Sequence, residues 1–183
     1  MAELRVWLGN QAQYADRLRG EWVNVGDPDE LSAVYNRVTY NGRDEHFIGD
    51  VEGPAWFREM ATEWADIDVL SAAAGIAEAL DDESVSDDLF SAWWDIVHTS
   101  YARPHEWDPR ELVNAARDAL MAEGDGDADA AMSYAEAFCS MDEWDYSHLD
   151  PRSCIDWDAY ARNLQNDYSF VRVGGTVFIL HIS

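Results

Sequence analysis

Tyr168-Ser169-Phe170-Val171-Arg172-Val173-Gly174-Gly175-Thr176-Val177-Phe178-Ile179-Leu180-His181 is two runs of β-branched and aromatic residues joined by two glycines. A two-residue glycine connection between such runs is a hairpin signal. Just upstream, Asp156 is placed to cap a helix from Trp157 to Leu164, with Tyr160 and Leu164 four residues apart on one face. Strands recur at the start of the chain, where Leu4, Val6 and Leu8 alternate with Arg5 and Trp7. Gly20–Val25 reads as a second strand, stopped by Gly26-Asp27-Pro28, and Glu45–Val51 as a third. Pro28 to Arg37 reads as the helix between them, with Leu31, Val34 and Tyr35 on one face.

The residues between these ends are helical in pattern. Trp56, Phe57, Met60 and Trp64 fall at helical spacing, and Ser71–Leu80 is alanine-rich. Asp81-Asp82-Glu83 breaks the pattern before a helix from Ser86 to Thr99 with Leu89, Trp93, Ile96 and Val97 inward. Asp108 and Pro109 open a helix to Met121, Glu123–Asp129 reads as a polar loop, and Ala130–Cys139 as a short helix resting on Met132, Ala135, Glu136 and Phe138. Trp56, Trp64, Trp93 and Trp157 are expected in the core. The fold class is α+β: an elongated chain of three small units in series, residues 1–60, 61–105 and 106–183, with small antiparallel sheets at both ends and a helical middle.

Charge narrows the function. The 183 residues carry 37 Asp and Glu against 12 basic residues, for a net charge of −25, and every basic residue is Arg. Hydrophobic residues make up 48% of the chain, with nine Trp, so the acidity does not signal disorder. So strong a negative field repels nucleic acid and anionic membranes and favours basic partners. Residues 61–105 hold ten acids and one Arg, close to a single-sign field. No apolar run is long enough to span a bilayer, and the first residues do not form a signal peptide, so a cytoplasmic protein is expected.

Motifs for chemistry are missing. Cys139 and Cys154 lack a disulfide framework or zinc spacing, and there is no HExxH, no GxSxG and no glycine-rich phosphate loop. Asp125, Asp127 and Asp129 imitate the start of a calcium loop, but the sixth position is Ala130 where glycine is needed. We therefore expect no enzyme, cofactor or metal. What remains is the acid itself. B-DNA presents one negative charge per about 1.7 Å of axis, and a helix rises about 1.5 Å per residue, so carboxylates on exposed helix faces can approach duplex charge density. Asp81, Asp82, Glu83, Asp87, Asp88 and Asp95 in the middle unit are candidates for such a surface, with Asp118, Glu123, Asp125, Asp127, Asp129, Glu136, Asp142, Glu143 and Asp145 in the third. Composition alone fits a salt-adapted acidic protein equally well, and generic acidity for solubility stays open.

Several segments resemble the ArdA family of antirestriction proteins: Arg5-Val6-Trp7-Leu8-Gly9-Asn10, Tyr14 and Leu18–Val23; then Glu45–Gly53; then Ile155–Leu164 and the terminal hairpin. The resemblance covers both ends of the chain and agrees in length. It implies a dimeric DNA mimic, encoded by conjugative elements and phages, that occupies the DNA groove of type I restriction-modification enzymes through their methyltransferase core. It also implies a dimer contact in the third unit around residues 137–144, onto which Phe138, Met141 and Trp144 fall. The chain departs from the family pattern in lacking Lys, in its Trp-rich middle and in the Tyr146–Cys154 stretch. An inhibitor of another nuclease or DNA-binding protein is the alternative reading.

Overall fold

A computed structural model describes residues 3–10, 20–38, 46–100, 103–139 and 153–182. Three strands, β1 (Arg5–Asn10), β2 (Gly20–Asn24) and β3 (His46–Glu52), form an antiparallel sheet in the order β2-β1-β3. Alternation in β1 turns Val6 and Leu8 into the core. Helix α1 (Pro28–Val38) closes over β1 and β2 with Leu31, Val34 and Val38. It starts where Asp27 accepts hydrogen bonds from the backbone N–H groups of Asp29 and Glu30, at 3.1 and 3.0 Å.

The middle is helical: α2 (Ala55–Met60), α3 (Ile67–Asp82), α4 (Asp87–Val97) and, beyond a 3-10 turn at Pro104–Glu106, α5 (Pro109–Ala119). Side chains of Asp66, Ser86 and Asp108 accept backbone N–H bonds at the starts of α3, α4 and α5. Helix α5 packs on both α3 and α4. The aromatic heart is Trp56, Phe90, Trp93 and Trp94. Trp56 and Phe90 meet edge to face at 5.5 Å, and Phe90 lies 5.5 Å from Trp93.

The second sheet runs β4-β6-β5, with β4 (Leu120–Gly124), β5 (Ser169–Val173) and β6 (Thr176–Leu180) antiparallel throughout. Central β6 is buried on both faces. Phe178 and Leu180 join the main core under α4 and α5, whereas Val177 and Ile179 face a smaller core with Ala130. That smaller core is covered by α6 (Asp127–Phe138), which packs on β4, β6 and α7 (Trp157–Leu164). The β5–β6 turn places Gly174 at φ +60° and Gly175 at +109°, the left-handed pair a tight hairpin turn requires. The main core is continuous, containing Leu4 of the first sheet, Trp56 and Leu70 of the middle, and Leu180 of the second sheet.

The class is α+β, with a three-stranded antiparallel sheet formed at each end of the chain. Local expectations need correction in four places. The helix expected to run to Met121 ends at Ala119, because β6 captures Leu120 as the first residue of β4; Glu123 and Gly124, read as loop, complete that strand. Asp81 and Asp82 do not break α3 but end it. Acids are unfavourable at a helix C-terminus, and here α5 answers them: Arg110 bonds Asp82 at 2.8 Å and Arg117 bonds Glu83 at 2.9 Å. Trp64 is 58% exposed, since α2 stops at Met60 and carries it off the apolar stripe; Trp157 is half-buried. Helix α6 starts at Asp127, inside the stretch read as loop, and Glu136 and Phe138, expected to face inward, are exposed, Phe138 by 53%; Ala130, Ala131 and Ala135 form the buried face instead.

Candidate acidic interaction surface

The candidate carboxylates sit mainly at helix ends. Asp81 and Asp82 close α3, and Glu83 follows it. Asp87 and Asp88 lie in the first turn of α4, and Asp127 and Asp129 in the first turn of α6, where the helix dipole favours negative charge. Asp95 and Asp118 are on α4 and α5, Glu123 on β4, Asp125 in the turn before α6, and Glu136 near its end. Asp81, Asp82, Asp88, Asp95, Asp118, Glu123, Asp125, Asp129 and Glu136 are exposed; Glu83, Asp87 and Asp127 are half-buried. Asp142, Glu143, Asp145, Met141 and Trp144 lie outside the described residues.

These acids are not equivalent. Arg110 pairs with Asp82, Arg117 lies between Glu83 and Asp118 (2.9 and 3.6 Å), and Arg172 reaches Asp127 at 3.2 Å. Their negative charge is partly answered within the chain, and the pairs tie α3 to α5 and the hairpin to α6. Asp87 accepts the indole N–H of Trp56 at 2.9 Å, so it also serves the core. By contrast, no ion pair among the described residues engages Asp88, Asp95, Glu123, Asp125 or Asp129. Residues 127–138 are helix, so the aspartates from Asp125 onward are not folded as a calcium loop.

Sequence reasoning missed Glu59, which lies on the exposed side of α2. Partial burial of its carboxyl, and secondarily the negative charge of Asp95, hold it above the ordinary carboxylate range, with His98 opposing. His98 Nδ1 lies 3.1 Å from the carbonyl oxygens of both Trp94 and Asp95, which makes it the protonated ring nitrogen. The folded chain holds the Glu59 proton more tightly than the unfolded chain does. Glu59 therefore costs stability as pH rises through the carboxylate range, and nothing below it. Glu59→Gln is expected to raise the Tm at neutral pH. Thermal melts should show that gain closing toward about pH 3, below the ordinary carboxylate range.

The smaller core carries a tyrosine pair at the surface. Tyr134 and Tyr168 share a 2.8 Å hydroxyl hydrogen bond, which with burial pushes the Tyr134 hydroxyl up to about 12. Phe138 stacks outward from the same helix, 5.0 Å from the Tyr134 ring. Cys139 follows, exposed, its sulfur 3.4 Å from the Tyr160 hydroxyl.

Fold and surface together define an acidic α+β protein whose uncompensated carboxylates are displayed on helices, a turn and a sheet strand. The family model of the antirestriction protein (ArdA) matches residues 6–178, nearly the whole chain, and the chain belongs to that family. It is thus an antirestriction protein, from a family of inhibitors. A comparison with curated proteins returned no match. No helix among the described residues is long and apolar enough to cross a membrane.

Proposed function

We propose that this protein blocks type I restriction-modification enzymes by occupying their DNA-binding groove, with its carboxylates standing in for phosphates. The observation that carries the reading is the set Asp88, Asp95, Glu123, Asp125 and Asp129: exposed acids whose carboxylates pair with no arginine among the described residues. A surface meant to meet a basic groove gains by keeping them for the partner. Binding competes with DNA, needs no catalytic step or cofactor, and takes place in the host cytoplasm where incoming DNA meets the enzyme.

The acting species in this reading is a homodimer with Phe138, Met141 and Trp144 at the contact. Exposed Phe138, continuous with Tyr134 and Tyr168, supports it. Phe138→Asp should turn a dimer into a monomer in sedimentation equilibrium; an unchanged mass would remove Phe138 from the contact.

The test in cells is the plating efficiency of unmodified phage on a host with a type I system. Expression of the protein should raise it by orders of magnitude and leave a type II system unaffected. Equal relief of both systems would point to a general nuclease inhibitor. No relief of either would defeat the proposal.

A further inference from the structure

A cleft of about 440 Å³ opens beside α2, within the size range of ligand sites (about 300–1,000 Å³). Met60, Val69 and Trp94 give it an apolar lining, and Trp64 stands at its edge with most of its indole in solvent. Glu59 and Asp66 contribute carboxylates, and His98 is also in the lining. Asp95, the residue after Trp94 on α4, acts on Glu59 electrostatically. Among the described residues, no ion pair engages Glu59 or Asp95. Asp66 already caps α3 through the Val69 N–H at 3.0 Å.

An exposed tryptophan beside an apolar cleft is costly for a protein that needs only to present charge. Phosphate groups are imitated by carboxylates in water; duplex DNA offers nothing that calls for an indole at this place. The combination instead suits one side chain. An arginine has a methylene stem for the Met60 and Val69 surface, a planar cation for the face of an indole, and a fork of donors for a carboxylate. A lysine matches the charge but neither the stacking nor the fork. Glu59 adds a second motive: its carboxyl, partly desolvated at the cleft and facing the charge of Asp95, is relieved by a cation.

We infer that the cleft bounded by Trp64, Met60, Val69, Trp94 and Glu59 is an anchor site for a single arginine side chain of the protein partner. The inference deepens the proposed function and rests on its claim that the partner presents a basic surface. Most of the acidic surface then supplies salt-sensitive attraction, and this cleft supplies a salt-tolerant hot spot.

Two measurements test it separately. In the free protein, N-acetyl-arginine methylamide should shift the Trp64 indole N–H resonance, assigned through Trp64→Phe. The alanine methylamide should not shift it, and the lysine analogue should shift it less. Equal response to the lysine compound overturns the choice of arginine; equal response to alanine, or none at Trp64, overturns the site. Against a purified type I enzyme, Trp64→Ala should weaken binding about tenfold, as expected of an aromatic anchor, with an unchanged slope of log Kd on log salt. Native-like affinity for that variant overturns the anchor while leaving the target standing. Arginine binding in a protein that never engages the enzyme retains the site and removes the target. Because Trp64 is exposed, its loss should leave the circular dichroism spectrum unchanged.

Discussion

Converting Asp88, Asp95, Glu123, Asp125 and Asp129 together to their amides should weaken binding to a type I restriction enzyme about thirtyfold at low salt, with each single change contributing about twofold. The estimate treats each acid as one exposed ion pair with the partner, and the factors multiply because the sites are separate. Amides keep size and hydrogen bonding, so the fold is preserved. Among the described residues no arginine pairs with these five carboxylates, and the one arginine contact, Arg172 to the backbone carbonyl of Asp125, survives the change to amides. The matched control is Asp82→Asn with Asp118→Asn. Those two acids face Arg110 and Arg117, and amides there should cost less binding than any two of the five. Titration calorimetry reads both sets. One of the five abolishing binding alone, with the fold intact, would contradict a distributed surface.

Trp56→Ala should cost about 3–5 kcal/mol of stability, a large share of the roughly 5–15 kcal/mol a domain holds. The side chain is fully buried, meets Phe90 edge to face, and donates its indole N–H to Asp87. Truncation opens a cavity in the main core and leaves Asp87 without that donor. The backbone N–H of Trp56 also bonds the buried Ser91 hydroxyl at 3.3 Å, which links α2 to α4 independently of the ring. Trp56→Phe keeps an aromatic ring against Phe90 and leaves a smaller cavity, so it should cost distinctly less. Urea titration followed by circular dichroism separates the two; equal midpoints for native and Trp56→Ala would mean the aromatic cluster is not the heart of the core.

How much of this was legible in the sequence depends on how local the cause is. The Gly174-Gly175 hairpin, the first three strands and the capped starts of α5 and α7 follow from residues next to one another, and the structure has them where the pattern puts them. Strand β4 was hidden because Leu120–Gly124 is extended only through its pairing with β6, a partner more than fifty positions away. The length of α3 was hidden for the same reason: Arg110 and Arg117 come from another helix. Gly124 carries a trace of that long-range packing, since any side chain there would strike the backbone of Asp129 and Ala130 at the start of α6. A glycine between Glu123 and Asp125 reads as loop until the helix above it is known.

For the surface, residue type gave the acids but not their state. Which carboxylates the chain neutralises is decided by arginines brought near in space, so Asp82, Glu83, Asp118 and Asp127 look identical in sequence to Asp88 and Asp129. Glu59 escaped notice because its burial and its neighbour Asp95 belong to different helices. Trp64 was misplaced because helical spacing continued past the point where α2 ends. The exposed indole is then the departure from the pattern, and it lies at the cleft assigned to arginine.

The most direct test is the Kd for a purified type I enzyme, measured with and without saturating unmodified target duplex over a range of salt. Occupancy of the DNA groove predicts that duplex raises the apparent Kd in proportion to its concentration, and that affinity falls steeply as salt rises. An affinity unchanged by saturating duplex would place the protein outside the groove and contradict DNA mimicry, however well restriction is blocked.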